Sequence, residues 1–146
     1  MNSEFNGLKL SGTFNNDAMP LDRKAVSSRW VYKWKTDTFG RVIQAKARLV
    51  AKGFSQVHGV DYFDTFSPTP AMTSIRMLAA FACEHNRPLW HLDVEQAYIQ
   101  SPLAERIFLR LPPGCGRFSN KVTGLARCLY GLKQSSRSWS LSLIHI

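Results

Sequence analysis

One aspartate stands where an apolar stretch gives way to polar sequence. In the stretch WHLDVEQAYIQSPL, Asp93 lies between Leu92 and Val94. At a period of two, Trp90, Leu92 and Val94 share one face of a strand, and Asp93 lies on the other face. The pattern predicts a strand that ends at a carboxylate facing a cation, a substrate or solvent. A solvated aspartate, or one that caps a helix beginning near Glu95, is the alternative.

A second candidate for chemistry is the basic segment from residue 21 to residue 52. It holds nine of the 19 Lys and Arg residues against only Asp22 and Asp37, and so carries +7 of the net charge of +9. Aromatic side chains are interleaved with the basic ones, which is typical of surfaces that bind nucleic acid or nucleotide phosphates. A solvated basic hairpin without a partner is the alternative. The residues predicted to contact nucleic acid include Lys33, Arg41 and Lys52.

Length and composition restrict the class of protein. At 146 residues, with 45% hydrophobic and 12% aromatic residues, the chain has enough apolar sequence to build one domain with a core. The three cysteines form no Cys-x-x-Cys pair, and the four histidines lack metal-ligand spacing. The N-terminus lacks a signal-peptide pattern, and the longest apolar run, MLAAFAC, is too short to span a membrane. A soluble intracellular protein is therefore expected, with no membrane partner.

The basic segment itself has the pattern of a β-hairpin. Strand signals over residues 29–35 and 41–51 flank the turn sequence TDTFG. Lys33 and Lys35 share one face of the first strand, and Lys46 and Arg48 share one face of the second. Four cations on one face of a hairpin are suited to holding phosphates.

Further helix and strand signals follow the hairpin. A helix is predicted to begin at Thr69 or at Thr73 and to end at Pro88, with a stripe of apolar residues on one side. The Asp93 strand comes next, then a short helix over residues 96–100 and a strand over residues 106–111. Mixed helices and strands indicate the α+β or α/β class. The stripe consists of Met72, Ile75, Leu78, Ala79 and Ala82.

Several blocks occur in one order along the chain: RWVYKWKTDTFG, KARLVAKGFSQVHGVDYFDTFSPT, SIRMLAAFAC, HLDVEQAYIQSPL, IFLRLPPGCG and LYGLKQSSRSW. Over residues 4–139 this series resembles the reverse transcriptase of Ty1/copia-type LTR retrotransposons. The resemblance implies an α+β fold that is part of a right-hand polymerase, with a fingers hairpin and the first half of the palm. It also implies RNA-directed DNA synthesis. The expected organisation is a lead-in at 1–28, a partial reverse transcriptase domain at 29–139 and a tail at 140–146 that does not resemble the family.

The resemblance implies a metal-binding role for Asp93. Asp93 matches the first metal-binding aspartate of the palm, and the backbone carbonyl of Val94 lies where the family supplies a second ligand. Polymerases of this kind use two magnesium ions about 4 Å apart. Carboxylate and carbonyl oxygens are suitable ligands for a hard cation.

The resemblance also implies a nucleotide site. Arg48, and with it Lys35 or Lys46, matches the cations that grip the triphosphate of an incoming dNTP, with a solvated sheet face as the alternative. Tyr98 lies at the position beside the sugar, where a bulky ring discriminates against a 2′ hydroxyl; a core aromatic is the alternative. Gln134 is expected near the nucleotide and the template.

The chain departs from the family pattern in its acidic residues. The family's remaining catalytic aspartates lie in a Tyr-x-Asp-Asp motif downstream of LYGLKQ, whereas this chain contains no Asp-Asp and its last acidic residue is Glu105. The magnesium site is therefore expected to be incomplete, and the chain alone inactive.

Three interpretations follow from these features. The first is a reverse transcriptase fragment of a Pol polyprotein, whose partners are a primer–template of RNA or DNA and a dNTP. Such a fragment belongs to a cytoplasmic, virus-like-particle setting, and the remainder of the polyprotein is missing. The second is a non-catalytic nucleic-acid-binding remnant. The third is a chain that does not fold stably, because the strands of half a palm sheet lack partners.

Overall fold

The structure, a computed structural model, describes residues 1–144 and contains five strands and four α-helices within them. The mixture of helices and strands confirms the predicted α+β class, while the right-hand polymerase arrangement stays a prediction. The helices are α1 (Asn2–Leu10), α2 (Met72–Glu84), α3 (Ala97–Gln100) and α4 (Ser135–Ile144). The strands are β1 (Phe14–Asn15), β2 (Val26–Thr36), β3 (Val42–Ala51), β4 (Pro102–Arg110) and β5 (Val122–Arg127).

The strands form one sheet in the order β1-β5-β4-β2-β3. Neighbouring strands are antiparallel except β2 and β4, which pair in parallel through Val26 with Leu109 and Ser27 with Arg110. The β2–β3 hairpin is paired from Ser28 opposite Ala51 outwards to the turn. The predicted hairpin is thereby confirmed, with β2 extended by three residues at its start so that it can join β4.

The core lies where the base of the hairpin meets β4, β5 and α1. Leu49, Leu109 and Leu129 are completely buried there. Phe5 and Leu8 on one side of α1 close the core, so part of the predicted lead-in packs as an integral layer of the fold. Beyond Trp30 the hairpin leaves this core, and its outer residues are exposed on both faces.

The helix predicted to begin at Thr69 or Thr73 forms as α2, starting at Met72. Its apolar stripe does not face a core. Met72, Ile75 and Leu78 are exposed, and Ala82 is the buried residue of the helix. No other helix or strand of residues 1–144 packs extensively against α2, so the helix forms without burying its apolar side.

The predicted strand that ends at Asp93 is wrong. The chain from Leu89 to Val94 has no regular structure and pairs with no strand of the sheet in the described residues. Trp90 and Leu92, the alternating apolar residues, are 86% and 87% exposed. A strand requires a neighbouring backbone for its N–H and C=O groups, and the period-two pattern does not supply one.

The segments after Asp93 agree better with the sequence pattern. α3 confirms the short helix predicted over residues 96–100, and β4 confirms the next strand while beginning four residues earlier than predicted. Helix α4 extends through Ile144 into the predicted tail. Residues 145 and 146 of that tail lie outside the described residues.

Candidate nucleotide and nucleic-acid site

Five of the predicted site residues line one cleft. Lys35, Lys46 and Arg48 come from the hairpin, and Asp93 and Val94 come from the irregular segment before α3. The cavity has a volume of about 330 Å³. We call it the hairpin cleft; its other lining residues are Glu4, Glu95, Gln96 and Tyr130.

The strand register explains the cationic wall of the cleft. Residues directly opposite in an antiparallel pair project from the same face of the sheet, and Arg48 lies opposite Val31, Lys46 opposite Lys33, and Gln44 opposite Lys35. The predicted face of four cations is therefore confirmed. Two like charges, Lys33 and Lys46, lie directly opposite each other, which costs stability unless an anion lies nearby.

The opposite wall of the cleft carries carboxylates. Glu4, Asp93 and Glu95 face the three hairpin cations across it, so the formal charges of the lining balance. The ion pairs found within residues 1–144 lie elsewhere and leave these cations and carboxylates without a salt bridge to each other. The cleft therefore holds cations that are not paired with its carboxylates and can bind the phosphates of a ligand.

Tyr130 lies at the floor between the two walls. The guanidinium carbon of Arg48 is 5.7 Å from the centroid of its ring, in a cation–π contact. Burial raises the pKa of Tyr130; the Arg48 charge lowers it in part, and Tyr98, Glu4 and Asp93 raise it further. The phenol is therefore neutral at physiological pH and can donate a hydrogen bond into the cleft.

A close backbone contact holds Tyr130 against the hairpin. The Ala51 N–H donates to the Tyr130 carbonyl at 2.8 Å. Gly131 follows with a φ of +90°, and a side chain on it would collide with the Ala51 carbonyl. A side chain on Gly53 would collide with the Gly131 carbonyl, so only glycine at both positions allows this approach.

Tyr98 lies behind Tyr130 and is not among the lining residues of the cleft. The two rings are 4.9 Å apart in an edge-to-face arrangement, and the Tyr98 hydroxyl is 3.1 Å from the Ser136 hydroxyl in a hydrogen bond. Tyr98 can thus set the position of Tyr130. Its predicted contact with a sugar stays a prediction.

Gln134 is 1% exposed and lies in a hydrogen-bonded network away from the cleft lining. Its amide accepts from Gln56 Nε2 at 3.1 Å and donates to the Asp61 carbonyl at 2.9 Å and to Glu105 Oε2 at 3.3 Å. The structure therefore gives Gln134 a packing role, joining the segment after the hairpin to the segment before α4.

The three other predicted contacts with nucleic acid spread along the hairpin. Lys33 is exposed midway along β2, Arg41 lies in the turn, and Lys52 follows the end of β3. Arg41 donates from Nε to Asp37 Oδ2 at 2.9 Å, so part of its charge is already neutralised. Lys33 and Lys52 have no ion-pair partner within the described residues.

The metal role of Asp93 depends on further ligands. Within residues 1–144, no group of three or more His, Cys, Asp or Glu side chains is arranged to hold a metal ion. Magnesium needs oxygen ligands in a near-octahedral set, and the exposed Asp93 with the Val94 carbonyl does not supply one. The described residues therefore do not fit a complete two-metal centre.

Four lining residues were not predicted as site residues by the sequence analysis. Tyr130 lies in the block LYGLKQ, whose aromatic residue was the available signal. Glu95 and Gln96 lie within the Asp93 stretch itself, and Gln96 adopts a left-handed conformation with φ of 51°. Glu4 is far from Asp93 in sequence, and nothing in its local pattern indicates that α1 brings it to the cleft.

Comparison with protein families shows the family of the chain. The family model for "Reverse transcriptase (RNA-dependent DNA polymerase)" matches residues 12–146, so the chain belongs to this reverse transcriptase family. Its curated relatives include Ty1/copia-type Pol polyproteins, which match most of the chain.

Three relatives illustrate the range of similarity. The chain is 36% identical over 141 residues to the retrovirus-related Pol polyprotein from transposon TNT 1-94 of Nicotiana tabacum, covering 95% of this chain and 11% of the relative. It is 40% identical over 120 residues to that from transposon RE1 of Arabidopsis thaliana, covering 81% and 8%. It is 29% identical over 147 residues to the transposon Ty1-H Gag-Pol polyprotein of Saccharomyces cerevisiae, covering 93% and 8%.

The chain spans about a tenth of the length of these curated relatives or less, and no solved structure matches it. Among residues 1–144, no helix is both long enough and apolar enough to cross a membrane.

Proposed function

We propose that this chain forms the fingers and the first part of the palm of an RNA-directed DNA polymerase. In this proposal the hairpin cleft receives the triphosphate of an incoming deoxynucleotide. The observation that carries it is the convergence of Lys35, Lys46 and Arg48 with Asp93, which are far apart in sequence, on one cleft. The partners would be a primer–template and the rest of a Pol polyprotein.

In phosphoryl transfer, the cations and the carboxylates of the cleft would have different roles. Catalysis of this reaction depends mainly on positioning and on stabilising negative charge. The three hairpin cations can hold the anionic phosphates, and Arg48 can do so with two parallel hydrogen bonds from its planar guanidinium. The Tyr130 ring beneath Arg48 restricts the orientation of that guanidinium. Asp93 lies across the cleft, facing the end of the triphosphate site.

Binding of inorganic triphosphate and of a dNTP to the purified chain tests the cleft. Arg48→Gln should weaken both by about tenfold, the typical cost of losing a charge-assisted hydrogen bond. Arg41→Gln is the matched control, since Arg41 is on the same hairpin, outside the cleft and paired with Asp37. Isothermal titration calorimetry measures both variants. Equal losses for the two would contradict a triphosphate site in the cleft.

A second candidate is a nucleic-acid-binding chain without catalytic activity. It is supported by the charge of +7 on the segment from residue 21 to residue 52, which suits phosphate binding without a metal site. Binding of a dNTP in the hairpin cleft distinguishes the two, because only the polymerase fragment requires it. Primer extension on an RNA template, with magnesium and dNTPs, tests separately whether the chain alone forms an active site. We expect no extension by this chain above that of an Asp93→Asn variant, because one matched carboxylate leaves the metal site unformed. Extension that disappears in Asp93→Asn would show that the chain completes its active site in another way.

A further inference from the structure

The face of the hairpin opposite the cleft carries three aromatic residues in a row. Trp30, Tyr32 and Trp34 alternate with the cations along β2, and they lie opposite Leu49, Ala47 and Ala45 of β3. We call this surface the aromatic face. Its inner end is fixed, because Trp30 packs against the core and donates from Nε1 to the Pro113 carbonyl at 2.9 Å.

The outer half of the aromatic face contains a groove. Tyr32 and Trp34 are 63% and 67% exposed, and the small side chains of Ala45 and Ala47 opposite them leave their rings uncovered. The groove has a volume of about 230 Å³ and is lined mainly by apolar atoms, including those of Met1. The Tyr32 hydroxyl lies 3.1 Å from the Met1 sulfur, which closes one end.

The dimensions of the groove suit one flat ring. Residues two apart on a strand are attached about 6.7 Å from each other. A planar ring in van der Waals contact on both faces needs about 7 Å between its neighbours. Tyr32 and Trp34 can therefore hold one aromatic ring between them, over a floor made by the two alanines.

The charges around the groove select among aromatic ligands. Lys33 and Lys46 project from the cleft face of the hairpin, but atoms of both side chains also line the groove. The surrounding segment from residue 21 to residue 52 carries +7 of the chain's net +9. An anionic ligand with flat rings fits this combination, because its rings stack while its charges meet the lysines. A single-stranded nucleic acid has both features, and aromatic side chains beside cations are the usual means of binding one.

We propose that the aromatic face is a stacking site for unpaired bases of single-stranded nucleic acid, centred on Tyr32 and Trp34. Its aromatic residues lie on the opposite face of the hairpin from the cleft, and Lys46 is the lining residue that the two sites share. Stacking on Tyr32 and Trp34 can therefore be tested separately from the proposed triphosphate site. A base inserted between the rings would be recognised by its flat surface and not by its hydrogen-bonding edge. Little preference among base types is therefore expected.

The test compares two ligands with equal phosphate counts, labelled oligothymidylate and an abasic oligomer of the same length. Fluorescence anisotropy with the full chain should show about tenfold tighter binding of the ligand that has bases, in the range typical of one stacked base. Trp34→Leu should remove this difference and leave abasic binding unchanged. Equal affinities of the original chain for the two ligands would overturn the proposal.

Two more variants test whether the effect of Trp34→Leu arises in the groove itself. Ala45→Leu fills the groove while retaining both aromatic residues, and it should also abolish the preference for bases. Phe39→Leu, at another exposed aromatic residue of the same hairpin, should retain it. If Phe39→Leu and Trp34→Leu have equal effects, the groove is not the site. A weakening of both ligands by a variant would point to phosphate binding, not to stacking.

Sedimentation equilibrium excludes the other occupant of an apolar face, a second copy of the chain. The chain is expected to be the same size before and after Trp34→Leu. A concentration-dependent dimer that Trp34→Leu abolishes would show that the groove serves self-association and would overturn the stacking site.

Discussion

The core around β4 and the segment from residue 71 to residue 94 are built from similar apolar side chains with opposite results. In the core, Leu49, Leu109 and Leu129 are completely buried. In the other segment, which we call the α2 segment, Leu78 and Leu92 are 59% and 87% exposed. The difference shows that an apolar pattern does not by itself predict whether the rest of the fold covers it.

The same difference in packing separates the two parts of the candidate site. Its cations lie on a hairpin whose base is paired and buried, whereas Asp93 lies in the irregular end of the α2 segment. Precise positioning requires support from packed neighbours. The cationic wall has that support within residues 1–144 and the acidic wall has much less, so the cations are the part of the site that this chain alone should present correctly.

The largest expected effect comes from truncating one leucine in each region. Leu49→Ala should lower the free energy of unfolding by about 2–5 kcal/mol, because it removes buried methyl groups and leaves a cavity. Leu78→Ala, a matched substitution on the exposed side of α2, should change it by less than about 0.5 kcal/mol. Urea denaturation followed by circular dichroism measures both. Similar losses would show that α2 is packed.

Cysteine labelling makes the same comparison without a mutation. Cys83 on α2 is exposed, whereas Cys115 and Cys128 are buried. Burial also raises the pKa of both buried thiols, so less of the reactive thiolate is present near neutral pH. Iodoacetamide should label Cys83 at least about a hundredfold faster in the native chain, since the others react only after local opening.

Peptide mass spectrometry over time gives the three labelling rates. The control is the same reaction in denaturant, where the three rates should converge. Fast labelling of Cys128 under native conditions would contradict the core as described, because its side chain is completely buried beside Leu129 in the chain.

The sequence predicted the hairpin well because its signals are local. The turn sequence, the alternation of residues 29–35 and the cations at every second position determine the faces of a strand pair. The Asp93 strand failed because its pairing partner would have to come from elsewhere, and no local pattern carries that information. Tyr130 and Glu4 reach the cleft through tertiary contacts, which also explains why the sequence analysis missed them.

Gln134 provides a smaller test, which also separates packing from ligand binding. Gln134→Leu should lower the free energy of unfolding by about 1–3 kcal/mol, because Gln56 Nε2 and the Asp61 carbonyl lose their partner in a buried site. Gln44→Leu on the exposed part of β3 is the control and should have almost no effect. Weaker nucleotide binding by a Gln134→Leu chain of unchanged stability would instead support the predicted contact with the nucleotide.

The smallest effect concerns the hairpin turn, which is exposed but held by its own hydrogen bonds. Asp37 Oδ1 accepts from the N–H groups of Phe39 and Arg41, each at 2.9 Å, and Oδ2 accepts from Arg41 Nε. The hydrogen bond from the Arg41 backbone is the main cause that holds the pKa of Asp37 below its ordinary value of 3.8. A lowered pKa in the folded state means that the charged carboxylate stabilises the fold above pH 3.8. That contribution is lost as the pH falls through the folded-state pKa.

Asp37→Asn should therefore be slightly less stable than the original chain at pH 7, and the difference should shrink at pH 3. Denaturation curves of both proteins at the two pH values measure it. A difference that is unchanged at pH 3 would mean that the carboxylate charge is not what holds the turn, and the exposed tip would then resemble the α2 segment more than the paired hairpin.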